Sequence, residues 1–237
     1  MVAGPPRSYG AAMLIAEDLL LLEFDDTEGK PVAGIENLDQ AVGGAFLLEL
    51  TLLGRVDLTG EADEGKPGRI VVRDATPVGN VELDGALEAL REVEGAKPKD
   101  AVARLAKGDP VERLLSGLAD RGVLRRESRK VLRLFPVTRW PTADSRHEER
   151  LRAELHRVLV DGGEPDDRTS ALVALLVGTK AVDGAFPTDD PETTRKRAEQ
   201  IAEGNWGGEA VHKAVDEITA AVMVAVMTAT IVTTTSS

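Results

Sequence analysis

From Met13 to Phe24 the chain reads MLIAEDLLLLEF, an apolar run broken only at Glu17, Asp18 and Glu23. A helix that is apolar on all sides must be covered on all sides, which places this segment at the centre of a fold. The carboxylates of Glu17 and Asp18 then need partners, because an unpaired buried charge is costly. A helix cap or an arginine such as Arg55 is the expected partner.

The rest of the sequence supports helices packed on helices. Of 237 residues, 42% are hydrophobic but only 3% are aromatic, so the core must be aliphatic. Helical spacing marks Leu38 to Leu53, where Gly43-Gly44 permits close approach of a neighbouring helix, and Asp84 to Val93. Further helices are expected at Asp100 to Leu105, Ser145 to Val160, Arg168 to Gly178, Pro191 to Glu203 and Glu209 to Val232. Pro110 stands at the first position of another helix that runs to Asp120, with Asp109 as its cap. Strand signals are few. Arg69 to Val72 pairs with Val56 to Leu58 or lies in a loop, and Thr59 to Gly68 reads as a mobile loop. Val123-Leu124 and Val131 to Phe135 flank Arg125 to Lys130 in what reads as a β-hairpin. No long linker divides the chain, so a single, mainly α domain is expected.

Composition removes several function classes. There are no cysteines, which excludes disulfides and thiolate metal sites and is compatible with a cytoplasmic setting. The three histidines, His147, His156 and His212, have no metal-ligand spacing, so no metal or other cofactor is expected. Gly60 to Lys66 matches a phosphate loop in letters alone. Pro67 stands where Ser or Thr would hold magnesium, and three carboxylates inside the loop would repel phosphate. No pattern of nucleophile and base is present, and no sign of catalysis. Residues 218–232 (ITAAVMVAVMTATIV) are too short and too rich in Thr for a membrane span and read as a buried C-terminal helix, with a membrane-inserting tail as the alternative. Arg outnumbers Lys by 20 to 9, a usage found in GC-rich bacterial genomes.

The net charge of −12 argues against a general nucleic-acid or anionic-membrane coat. One segment departs from it. Arg121, Arg125, Arg126, Arg129, Lys130, Arg133 and Arg139 stand against the single acid Glu127, and Trp140 follows. This stretch is either a solvated hairpin paired with acids of its own or a second subunit, or a platform for anionic phospholipid head groups or phosphate, with Trp140 as an interfacial ring. A winged-helix nucleic-acid module is a further reading. It is disfavoured because Val111 to Asp120 carries Glu112 and Asp120 against Arg113 alone.

Three blocks together resemble the Golgi phosphoprotein 3 family. The first is Ala16-Glu17-Asp18-Leu19-Leu20-Leu21-Leu22 with Asp26 and Gly29, continuing to Leu48-Glu49-Leu50 and Gly54-Arg55-Val56. Asp74-Ala75-Thr76-Pro77-Val78-Gly79 followed by Leu83-Asp84 and Ala86-Leu87 is the second. The third is Glu112-Arg113-Leu114, then Leu118-Ala119-Asp120-Arg121-Gly122-Val123-Leu124 and a hairpin. The resemblance implies a central helical bundle wrapped by amphipathic helices, with a projecting β-hairpin used in oligomerisation. It implies residues 11–232 as that domain, a disordered tail at 1–10 and a flexible C-terminus at 233–237.

Family members resembled in this way are non-enzymatic. They bind phosphatidylinositol 4-phosphate at the membrane surface and hold protein client tails. The implied setting here is cytoplasmic and peripheral at the inner face of a membrane. Their head-group pocket uses one Trp and three Arg, at the positions of Gly34, Gly43, Gly108 and Val111 in this chain. All four of those side chains are absent here.

Overall fold

A computed structural model describes residues 13–32, 37–131, 135–204 and 213–233, without the side chains of 129–131, 135–136, 213–216 and 229–233. The expected tail at 1–10, Gly34, Arg133 and nearly all of the expected C-terminal segment lie outside these residues.

The protein is mainly α. Helix α1 (Ile15–Glu23) has all nine residues buried. It packs against α2 (Leu38–Leu52), α5 (Pro110–Asp120), α6 (Arg146–Leu159), α7 (Asp167–Gly178) and α8 (Val182–Ala185). This is the environment that a helix without a polar face requires. Helix α2 is the second pillar and also meets α3 (Val81–Arg91), α4 (Pro98–Leu105) and α10 (Lys213–Thr233), while α9 (Pro191–Ala202) closes over α7. The glycine pair in α2 brings two helices in at once. A β-carbon on Gly43 would stand 2.8 Å from the Val102 carbonyl oxygen of α4, and one on Gly44 would stand 2.4 Å from a Val222 methyl of α10.

Side-chain caps start several helices, and α3 begins at Val81, three residues before the expected Asp84. The Asn80 side chain accepts from Glu82 and Leu83 N–H at the head of α3, Asp166 accepts from Thr169 N–H at α7, and Asp190 accepts from Thr193 N–H at α9. Asp109 occupies the cap position of α5 but in the left-handed region (φ 52°) and without a side-chain capping bond, so Pro110 alone marks that start.

The short strands differ in two ways from the sequence reading. β1 (Val56–Leu58) and β2 (Ile70–Val72) do pair, antiparallel. The segment between them is fastened rather than loose. Thr59 donates its hydroxyl to the Lys66 carbonyl, and Arg73 grips Asp63 with two hydrogen bonds of 2.6 and 2.7 Å. The second hairpin lies further along the chain than expected, as β3 (Glu127–Val131) and β4 (Phe135–Arg139). Val123-Leu124 is not a strand of it, and Lys130 lies within β3 rather than at a turn. The reason is the register. Leu124 bridges Thr142, and one unshifted pairing runs from there through Glu127–Arg139 to Val131–Phe135. Residues 132–134, between the two strands, lie outside the described residues.

Candidate functional site

The foot of the β3–β4 hairpin is built on the turn after α1. Asp25 accepts from the Thr27 and Glu28 N–H groups, which shapes the turn, and Gly29 follows with φ +60°. The carbonyl of Gly29 accepts from Trp140 N–H at 2.8 Å. A β-carbon on Gly29 would lie 2.2 to 2.4 Å from the backbone of Trp140 and Pro141, so only glycine fits. Next to it, Asp26 accepts from the Thr142 hydroxyl at 2.7 Å and its carbonyl from Thr142 N–H at 2.8 Å. Beyond the foot, β3 and β4 pack on each other and make few contacts with any helix.

Among the described residues, the predicted basic side chains point to different partners. Arg121 reaches inward to Glu17, which is buried on α1. Arg126 lies 3.2 Å from Glu112 and stacks its guanidinium 5.4 Å above the Trp140 ring. Trp140 itself is buried, with 3% of its surface exposed. It therefore supports the hairpin foot from inside instead of presenting its ring at an interface. Arg125 is as open as Arg126, its side chain 62% exposed, with Glu127 3.9 Å away. Arg139 is half-buried at the end of β4, paired in register with Glu127. Arg129 and Lys130 lie on β3, their side chains outside the described set, and Arg133 is outside it altogether.

The buried acids have partners other than Arg55, which pairs with Asp74 instead. Asp18 accepts from Arg168 at 2.8 Å and lies 2.6 Å from His147 Nε2. The same guanidinium holds Glu49 of α2 at 2.7 Å and the Met13 carbonyl at 2.6 Å. Glu49 in turn accepts from Ile15 N–H at 2.6 Å, and Glu17 folds back to accept from Leu14 N–H at 3.0 Å. Arg55 is engaged elsewhere, in an ion pair with Asp74 beside the β1–β2 hairpin. Arg168 was legible only as a helix residue. Glu49, a lone acid in the apolar run of α2, was the available signal for a buried partner.

Two further acids carry raised pKa values. Glu23 is wholly buried, and burial pushes its carboxyl up to about 8 against the opposing hydrogen bond from the Thr179 hydroxyl. Its Oε2 finds no hydrogen-bond partner. Glu148 is pushed up to about 7, first by burial and then by a hydrogen bond with Asp26, with Arg152 opposing. Among the described residues, no group of three or more His, Cys, Asp or Glu is placed to hold a metal ion, and no helix is long and apolar enough to cross a membrane.

The family model for Golgi phosphoprotein 3 (GPP34) matches residues 15–218, nearly the whole of the described fold. The chain belongs to the Golgi phosphoprotein 3 family. It is similar to vacuolar protein sorting-associated protein 74 of Eremothecium gossypii, with 31% identity over 167 residues. The match covers 62% of this chain and 49% of that protein, so the chain spans about half the length of the curated relative.

Family membership gives the α2–α4–α5 region its interest. Of the four positions aligned with the head-group pocket, Gly34 lies outside the described residues. Gly43 is pressed against α4, with Ala106 N 3.0 Å and Val102 O 2.8 Å from any β-carbon. Gly108 and Val111 flank Asp109 and Pro110. Asp39 of α2 has its pKa raised by burial and by the negative charge of Asp109, while the Val111 N–H opposes that shift. Asp39 and Asp109 thus place two carboxylates beside Gly108 and Val111.

Proposed function

We propose that this Golgi phosphoprotein 3 family member is a non-enzymatic peripheral adapter that attaches reversibly to anionic membrane through its basic hairpin, and does so without a specific phosphoinositide pocket. The supporting observation is the hairpin foot, where the exposed cations Arg125 and Arg126 immediately precede β3 and the strand pair is bonded to the turn that follows the central helix. Each basic residue held close to anionic lipid contributes about 1 kcal/mol, so the attachment is additive, weak and sensitive to salt. The closed surface at Gly43 and the facing acids Asp39 and Asp109 support the loss of head-group selectivity.

Liposome flotation tests this. Vesicles with phosphatidylserine should carry the protein at low salt and release it at high salt. Adding phosphatidylinositol 4-phosphate should raise binding no more than an equal charge of phosphatidylserine does. The double variant Arg125→Glu, Arg126→Glu should stay at the bottom of the gradient. Failure to float on any anionic vesicle defeats the reading, and a selective response to the phosphoinositide defeats its second half.

A second reading has its own support. An isolated two-stranded hairpin leaves both outer edges unpaired, and such edges pair readily with another chain. Under this reading the hairpin joins copies of the protein, in keeping with the family's use of it. Removing residues 125–130 would lower the mass seen by light scattering and leave flotation unchanged. The nucleic-acid reading gains nothing from α5, where Glu112 meets Arg126 and Arg113 meets Glu82.

A further inference from the structure

A groove of about 370 Å³ opens between α2, α3, α4 and α5, away from the hairpin. Its floor is apolar: Phe46 of α2, Leu105 of α4, and Gly85 and Ala89 of α3. Gly85 is exposed, and no atom lies within 4 Å of where its β-carbon would be, so it is a depression in the helix surface. Val81, one turn before it, is 83% exposed, the most open of the large apolar side chains described. The rim is cationic, with Arg104, Lys107 and Arg113 against the single acid Glu82. Arg104 is tied to Glu92 at 2.6 Å and Arg113 to Glu82 at 3.0 Å, while Lys107 is exposed and makes no ion pair with any described residue. In a protein of net charge −12 this is a local positive mouth over an apolar bed. None of the positions aligned with the family pocket lines it.

From this geometry we propose that the α3–α4 groove binds a single-chain anionic amphiphile, a medium-length acyl or alkyl chain that ends in a carboxylate or phosphate. The chain lies along Gly85 and Ala89 over Phe46 and Leu105, and the anion sits at Lys107. The volume is at the small end of ligand pockets, which run from about 300 to 1,000 Å³, so it takes one chain and not two. Charge decides between this occupant and a neutral one, because Lys107 stands at the mouth with no ion pair to any described residue while Arg104 and Arg113 are each matched by one acid. The inference does not depend on the hairpin reading.

Titration of the whole protein with decanoate and decyl phosphate below their micelle concentrations, followed by calorimetry and backbone amide shifts, tests it. Both should bind one to one and shift the amides of Val81, Gly85, Ala89 and Lys107. Hexanoate should bind more weakly, by up to about fourfold for each methylene removed. Inorganic phosphate alone and decyltrimethylammonium should leave those amides in place. Lys107→Glu, an exposed change that spares the fold, should weaken binding about tenfold. Gly85→Leu should abolish it by filling the bed, and Arg125→Glu should leave it unchanged. Lack of binding by both probes overturns the proposal. So does equal binding of the cationic surfactant, or affinity that Lys107→Glu does not alter. A change of mass in light scattering on Gly85→Leu would assign the groove to a second copy of the chain and overturn it as well.

Discussion

Gly29 lies against the peptide of Trp140 and takes that residue's N–H in a 2.8 Å hydrogen bond, so the turn after the central helix and the end of the hairpin meet there without room for a side chain. Gly29→Ala must push a methyl group into Trp140 and Pro141 and hold a left-handed φ as well. The combined cost should be at least about 2 kcal/mol. Thermal denaturation should show a lowered Tm, and limited proteolysis should cut first near residues 124–142. An unchanged Tm would mean that the foot yields without cost.

Arg168 is the only cation holding both Asp18 and Glu49 from a single side chain among the described contacts. Arg168→Met leaves two buried carboxylates short of a partner and should cost about 3–5 kcal/mol, measured as a drop in the urea midpoint. Adding Asp18→Asn and Glu49→Gln to Arg168→Met should recover part of the loss. Failure of that rescue would show that the arginine acts through its grip on the Met13 carbonyl instead.

Glu23 and Glu148 should make the protein less stable as pH rises. Their folded pKa values, about 8 and about 7, lie above the ordinary 4.5, so between pH 4.5 and 8 the folded state holds protons that the unfolded chain has lost. Stability is then highest at the acidic end of that window and falls toward pH 8. Glu23→Gln keeps the Thr179 bond without a charge and should flatten the profile, stabilising the protein at pH 8 by on the order of a few kcal/mol. Chemical denaturation at pH 5, 6.5 and 8 reads the slope, and a variant as steep as the parent would refute the assignment.

Gly43→Arg places the family's basic residue back at its aligned position. It should unsettle the α2–α4 contact, because the β-carbon alone meets the Val102 carbonyl at 2.8 Å. We expect a lower Tm and no gain in binding to phosphatidylinositol 4-phosphate vesicles. A stable variant that acquires that binding would show that α4 can step aside.

Arg126→Ala should matter little to folding. It removes a surface ion pair with Glu112 and a stacking contact on Trp140, together about 1 kcal/mol or less. Its effect on flotation should be the larger one, and the two measurements separate the roles.

Much of the architecture was legible because helix signals are local. The apolar run at Met13 to Phe24, the prolines at 110 and 191 and the Gly43-Gly44 pair each report on their own neighbourhood, and the fold places them accordingly. The four-residue helix α8 carries too few residues to show a period. The hairpin was displaced because its register is set at a distance, by Leu124 on Thr142 and Gly29 on Trp140, contacts that no window of sequence contains. The candidate site was less legible for the same reason. Counting charges along residues 121–139 could not reveal that Arg121 turns inward to Glu17, or that Trp140 lies beneath Arg126.

Among the described residues, the strand pair is held at its base and works as a lever. Force applied along β3 and β4 is delivered to the Gly29 turn, and through six residues of chain to the buried helix α1. Anything that seizes the far end is therefore pulling on the centre of the molecule.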